Sequence, residues 1–197
     1  MADSQLDLSV IIPVYNEEEN LEPLVSEINQ AISDLNFEIL FIDDGSTDLS
    51  IPKLCKMKEN DDKIRIIQHN RNFGKAIALA TGFHNAKGKV SITMDGDLQD
   101  DPAEIPRFLA EIEKGNTLVC GWRATRRDNV FKRWPSKIYN RLTQYMCGIK
   151  VHDMNCGFKA YDTELGRSLN LYGDMHRYTP VLGRMNGARI TEIAIEH

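Results

Sequence analysis

A chain of 197 residues, 42 % hydrophobic and 27 % charged, fits one globular domain and excludes disorder, collagen or a coiled coil as descriptions of the whole. The net charge of −5 argues against a general nucleic-acid binder, although it says nothing about local patches. No apolar run reaches the ~18 residues of a membrane span, and Met1-Ala2-Asp3-Ser4 is too polar to open a secretory signal.

The first two-thirds of the chain alternate strand and helix. Leu8–Ile12 is a continuous apolar run with β-branched residues, as a strand buried on both faces requires. Asn16 and Glu19 have the spacing of a capping box, and Leu21, Leu24, Val25, Ile28 and Ile32 recur at helical spacing after them. Phe37–Ile42 predicts a second strand, about Ser50–Asn60 a helix, and Ile64–Gln68 a third strand. Gly74–Asn85 predicts a helix, Val90–Met94 a fourth strand, Pro102 the first turn of another helix, and Thr117–Cys120 a fifth strand. This rhythm implies right-handed βαβ units and an α/β fold on a mostly parallel sheet. After Gly121 the rhythm breaks, and no linker or repeat divides the chain, so residues 1–197 are expected to form a single domain.

Cys55, Cys120, Cys147 and Cys156 form no C-x-x-C pair. A zinc site is disfavoured, and buried reduced thiols of a cytoplasmic protein are expected.

Ligands of parallel sheets bind at the carboxyl ends of strands. Three polar clusters fall there: Tyr15-Asn16-Glu17, Asp43-Asp44-Gly45-Ser46 and Asp95-Gly96-Asp97. In Asp95-Gly96-Asp97-Leu98-Gln99-Asp100-Asp101 four carboxylates crowd a strand end. A hard divalent cation relieves their repulsion, and oxygen donors without His or Cys favour Mg²⁺ or Mn²⁺. The plainer reading is an acidic turn that caps the helix at Pro102. In the second cluster Gly45 suits a tight turn, and Ser46, Thr47 or Asp48 can cap the next helix. A carboxylate there can also accept from a base N–H. No G-x-G-x-x-G follows the first strand and no G-x-x-x-x-G-K-[ST] occurs, which disfavours dinucleotide oxidoreductases and P-loop NTPases.

Val10-Ile11-Ile12-Pro13-Val14-Tyr15-Asn16-Glu17, Asp43-Asp44-Gly45-Ser46, Asn72-Phe73-Gly74-Lys75 and Met94-Asp95-Gly96-Asp97-Leu98-Gln99, in that order, resemble glycosyltransferase family 2 and its GT-A fold. Asp95–Asp100 and Asn155-Cys156-Gly157-Phe158-Lys159 are similar to the polyprenyl-phosphate glycosyltransferases, the dolichol-phosphate-mannose synthase group. The resemblance runs from about residue 8 to 197. It implies that Pro13, Tyr15 and Glu17 contact the nucleoside and Asp44 its base. Asp43, Lys75 and Gly96 would complete the donor site. Asp95, Asp97 and Gln99 would handle metal, ribose and diphosphate, with Asp97 the first choice as metal ligand.

From Arg123 to Arg141 seven basic residues face one acid, Asp128, and Phe131, Trp134, Ile138, Tyr139, Leu142, Tyr145 and Met146 interleave with them. The pattern suits either an amphipathic helix on the core or one at an anionic membrane surface, at about residues 131–147. The resemblance implies that Arg123, Lys132 (or Arg133) and Ser136 bind a lipid phosphate. It further implies a location at the cytoplasmic face of the membrane, C-terminal membrane segments beyond this stretch, and homo-oligomers formed through them.

Many family 2 enzymes carry a Glu-Asp base pair near the acceptor, where this chain reads Gly173-Asp174-Met175-His176-Arg177-Tyr178. A phosphate acceptor needs no base, because its second pKa of about 6 leaves it mostly dianionic at neutral pH. Asp174, His176 and Arg177 either orient the site or are structural, and Asp153 serves either the acceptor or a helix cap. The expected activity is inverting transfer of a hexose from a nucleoside-diphosphate sugar, of GDP-mannose or UDP-glucose type, to a polyprenyl phosphate. Asp97, Arg123 and Lys132 would carry the chemistry. The rivals are a family 2 transferase with a soluble sugar or protein acceptor, and a non-catalytic nucleotide-sugar-binding module.

Overall fold

The alternation of side chains along two central strands sets the layering. In the computed structural model, which describes residues 6–123 and 151–195, the chain begins β1 (Leu8–Val14), α1 (Leu21–Ala31), β2 (Phe37–Asp43), α2 (Ser50–Asn60), β3 (Ile64–Gln68), α3 (Lys75–Asn85) and β4 (Val90–Thr93). A 3₁₀ turn at Pro102–Glu104 leads into α4 (Ile105–Glu113) and β5 (Leu118–Arg123). After residue 150 come β6 (Lys159–Asp162), α5 (Thr163–Ser168), a 3₁₀ turn at Met175–Tyr178, α6 (Thr179–Met185) and β7 (Ile190–Ile195). Val10, Ile12, Val14, Ile39 and Phe41 pack with Leu21, Leu24 and Ile28 of α1, Leu54 of α2 and Phe108 of α4. Ile11, Leu40 and Ile42 point the other way, onto Ala76, Leu79 and Phe83 of α3. Both faces are covered, which is why these strands read as unbroken apolar runs.

The described strands form one sheet in the order β3-β2-β1-β4-β6-β5-β7. β6 runs antiparallel to both of its neighbours, and the other pairings are parallel. The mostly parallel α/β architecture agrees with the sequence reading. β6 departs from it: four residues between two neighbours carry no alternation to distinguish them from loop. No helix among the described residues is long and apolar enough to cross a membrane. The expected helix at 131–147 lies outside the described residues.

Two local expectations need correction. The Asn16–Glu19 capping box does not form, because α1 starts four residues later, behind Asn20, with no side-chain cap bond. Asn16 instead takes a left-handed φ of 59°, which a short polar side chain tolerates. Its Oδ1 accepts from Thr47 N at 2.8 Å, and its own N–H donates to Ser46 Oγ at 2.9 Å, joining the first two strand-end loops. Cys55 is exposed, whereas Cys120 and Cys156 are buried. Burial raises their pKa values to about 12 and about 11 and keeps both as thiols. Asp101 does cap the turn at Pro102, accepting from Ala103 N at 2.9 Å.

At the opposite end of the strands, the buried Glu38 of β2 holds three elements together. It accepts from Ser9 Oγ at 2.6 Å, from Lys87 N at 2.7 Å and from Arg65 Nη1 at 2.5 Å. Glu38→Ala strands a buried hydroxyl, an amide and a guanidinium. Arg65 is partly exposed, so the loss falls at the lower end of that for broken buried pairs, about 3 kcal/mol. Chemical denaturation measures it; a loss below about 1 kcal/mol would show that water replaces the carboxylate.

Candidate functional site

β1 lies between β2 and β4, so successive crossovers leave it in opposite directions. Such a switch point opens a crevice at the carboxyl ends of the strands. Here the crevice is a cavity of about 250 Å³ lined by Pro13, Tyr15, Glu17, Asp44, Asn72, Lys75, Asp95, Gly96 and Asp97, among others. Pro13, Tyr15, Glu17, Asp44, Lys75, Asp95, Gly96 and Asp97 are thus brought together as expected. Tyr15 is 47 % exposed, and its ring is a candidate stacking face. Asp43 corrects the expectation: it is fully buried and outside the lining. Its Oδ2 accepts from Ser46 N at 3.2 Å, shaping the turn.

Asp44 anchors the far wall. Its carboxylate meets His69 Nδ1 at 2.8 Å, Phe73 N at 3.0 Å and Gly74 N at 2.7 Å. The other ring nitrogen of His69 meets Thr81 Oγ1 of α3 at 3.0 Å. Gly45 makes the close approach possible, since a Cβ there would lie 2.6 Å from the backbone carbon of Arg71. The segment Arg71-Asn72-Phe73-Gly74 is thereby fixed and delivers Lys75 to the cleft. The sequence reading missed His69, although its place at the end of β3, beside a cluster of polar strand ends, was the available signal.

The third strand end carries the acid cluster. Lys75 Nζ is ion-paired with Asp95 Oδ1. Gly157 passes so close to that carboxylate that a Cβ would lie 2.6 Å from Asp95 Oδ1. Asp95 N donates to Asp100 Oδ2 at 3.2 Å. Burial, then repulsion from Asp95, raise the Asp100 carboxyl to about 6, with Asp97 adding a smaller push. Leu98 takes a left-handed φ of 61°, a strained conformation for a branched residue. It turns the loop so that Asp97 lines the cleft. Asp97 Oδ1 accepts only from Gln99 N, at 3.2 Å, among the described residues. The Gln99 side chain is exposed and outside the lining.

No group of three or more His, Cys, Asp or Glu suited to a metal occurs among the described residues. Two carboxylates with no nitrogen or sulfur donor nonetheless fit Mg²⁺ or Mn²⁺, which take one or two carboxylates and complete their shell with phosphate and water.

A second cavity, of about 230 Å³, adjoins the first at Lys75 and is lined by Asn155, Gly157, Lys159, His176 and Arg177. Asp174 is exposed and does not line it. Arg123, at the end of β5, donates from Nε to Asp153 Oδ2 at 2.9 Å. Glu192 Oε1 accepts from His152 N and Asp153 N at 2.7 and 3.2 Å, fixing this pair on β7. Asp153 is therefore the counter-ion of Arg123. Lys132, Arg133 and Ser136 lie outside the described residues.

Asp44→Ala is expected to free the amides of Phe73 and Gly74. Hydrogen bonds to a charged group contribute about 1.5–3 kcal/mol, so exchange of these two amides should quicken roughly 10- to 150-fold. Unchanged protection would mean that the segment holds without the carboxylate.

Residues 9–168 match the model of glycosyl transferase family 2. Over 199 residues the chain is 37 % identical to dodecaprenyl-phosphate galacturonate synthase of Rhizobium johnstonii, covering 98 % of this chain and 59 % of that protein. It is 36 % identical to undecaprenyl-phosphate 4-deoxy-4-formamido-L-arabinose transferase of Pseudomonas fluorescens, covering 96 % and 57 %. The chain thus spans somewhat over half the length of these curated relatives. Among solved structures it is similar to the mannosyltransferase PcManGT of Pyrobaculum calidifontis in complex with GDP-Man and Mn²⁺ (TM-score 0.69, 20 % identity, 99 % of this chain and 57 % of that one). It is also similar to glucosyl-3-phosphoglycerate synthase of Mycobacterium tuberculosis with Mn²⁺ and UDP-Glc (TM-score 0.74, 19 % identity, 99 % and 71 %). These likenesses establish the GT-A-like fold, and the family match together with the sequence relatives establishes that the chain belongs to glycosyl transferase family 2.

Proposed function

We propose that the chain transfers a sugar from a nucleoside diphosphate to a polyprenyl phosphate in a single inverting displacement. The observation that carries this reading is the switch-point cleft, which gathers Pro13, Tyr15, Asp44, Lys75, Asp95 and Asp97 from three strand ends. The lipid acceptor is supported by the polyprenyl-phosphate transferases at 36–37 % identity. The absence of a Glu-Asp pair around Asp174 agrees with it, because a dianionic phosphate attacks without a base.

In this reading Tyr15 stacks on the base and Asp44 holds the wall against which the nucleoside rests. Asp97 and Asp95 would hold Mg²⁺ or Mn²⁺, which would supply Lewis-acid stabilisation of the leaving diphosphate. Lys75 balances Asp95 and reaches the same diphosphate. Arg123, kept in place by Asp153, serves the acceptor phosphate, a role the reading also gives to Lys132, Arg133 and Ser136. Their positive charge suits a lipid phosphate at an anionic membrane surface.

Transfer of label from UDP- and GDP-sugars to a short polyprenyl phosphate, with Mn²⁺, tests the reading. Label is expected in the organic phase, and chelation should abolish it. Label appearing only on soluble acceptors would overturn the lipid assignment. Asp97→Asn should lower turnover by at least about 100-fold, the scale of several kcal/mol of Lewis-acid stabilisation. Near-normal turnover would move the metal elsewhere.

The basic run has its own expected signature. The double variant Lys132→Ala, Arg133→Ala should raise acceptor KM, by roughly 10- to 150-fold for each charge-assisted hydrogen bond to the phosphate that it removes, and leave donor KM in place. The effect should shrink with salt if the charges act from the surface. An unchanged acceptor KM would make the segment an ordinary packed helix.

A further inference from the structure

The cavity that adjoins the donor cleft at Lys75 has an unusual charge balance. Lys75, Lys159, His176 and Arg177 line it, and no Asp or Glu does. Lys159 is 3 % exposed. Its ammonium donates to Met154 O at 3.3 Å and to Cys156 O, and no carboxylate faces it among the described residues. His176 Nδ1 is buried with no partner among the described residues. Arg177 makes no ion pair among them and is exposed at the mouth. Burial, then the charges of Lys75 and Arg177, hold the His176 imidazole below its usual pKa, with Lys159 adding to them and Asp174 opposing.

Lys75 already pairs with Asp95, but Lys159 is buried with no carboxylate partner among the described residues, and Arg177 stands beside the same cavity. A buried cation is costly unless paired, and like charges around one cavity repel each other. An anion entering the cavity removes both costs. The guanidinium of Arg177 suits a planar carboxylate in particular, because its parallel N–H groups match two oxygens. A neutral hexose offers hydroxyls that need acceptors as well as donors, and this lining is dominated by donors.

Position narrows the choice of anion. Under the glycosyl-transfer reading, on which this inference rests, the diphosphate sits at Asp97, Asp95 and Lys75. The group that follows the diphosphate is the sugar, and the cavity begins at Lys75. We propose that this cavity is a carboxylate subsite for the donor sugar, so that the chain takes a nucleoside-diphosphate uronic acid in preference to the neutral hexose. Arg177 and His176 hold the carboxylate, and Lys159 sets the potential from below. The acceptor phosphate is the other anion in the reaction, and it is left to the basic run that begins at Arg123.

Calorimetry with the intact chain and Mn²⁺ tests this. The probes are UDP-glucuronate against UDP-glucose and GDP-mannuronate against GDP-mannose, with UDP and GDP alone reporting a folded donor cleft. For the nucleotide that binds, the uronate should bind at least tenfold more tightly than the neutral sugar. Arg177→Met should erase that preference and Arg177→Lys should restore part of it. Equal affinity for the two sugars, with the bare nucleotide bound, would overturn the carboxylate subsite and leave the transferase reading standing. Failure of both nucleotides to bind would overturn both. If Arg177→Met left the donor preference intact and raised acceptor KM instead, the cavity would belong to the acceptor phosphate and the proposal would fall.

Discussion

Negative charge is crowded at the carboxyl ends of β1, β2 and β4, and the fold must neutralise it. Asp44 is met by His69 and two backbone amides. Asp95 is met by Lys75. Asp100 is buried and its carboxyl is raised to about 6 by burial and by its neighbours. Asp97 alone of this set has neither a cation nor burial, only the amide of Gln99 among the described residues. The internal compensation is incomplete, and it is thinnest at Asp97, which faces the cleft. That shortfall is the physical basis of the proposed divalent cation.

The same compensation explains the shape of the walls. Neutralising Asp44 with the amides of Phe73 and Gly74 fixes the segment before α3, and α3 then carries Lys75 to Asp95. Packing of Ala76, Leu79 and Phe83 on Ile11 and Leu40 locks that helix against the sheet. The site therefore depends on core burial at one remove: hydrophobic packing holds α3, and α3 holds the ion pair. On the other side, Gly157 brings the loop before β6 against Asp95, and Lys159 of β6 lines the adjoining cavity, although this antiparallel strand was invisible as a strand in the sequence.

Much of the fold was legible because β1 and β2 are buried on both faces and α1 has regular apolar spacing. The strand-end clusters were legible because polar residues that end buried strands stand out against apolar runs. What stayed hidden was long-range. Asn16 has the chemistry of a cap, and only the approach of Thr47 diverts it into bridging two loops. Asp43 and Asp44 are the same residue type side by side and both are buried, and strand pleating decides which of them lines the cleft. From sequence Arg123 is assigned to a lipid phosphate and Asp153 to the acceptor or a helix cap, because nothing local joins two residues thirty positions apart. The second cavity combines residues from α3, the loop before β6 and a 3₁₀ turn, and no local motif announces such a combination.

The cation at Asp97 is the central claim, and anomalous scattering tests it most directly. A crystal of the chain soaked with Mn²⁺ and a nucleoside diphosphate should show a manganese peak between the Asp97 carboxylate and the diphosphate oxygens, with Asp95 close by. A diphosphate bound in the cleft with no manganese at Asp97, or manganese held elsewhere on the sheet, would contradict the account.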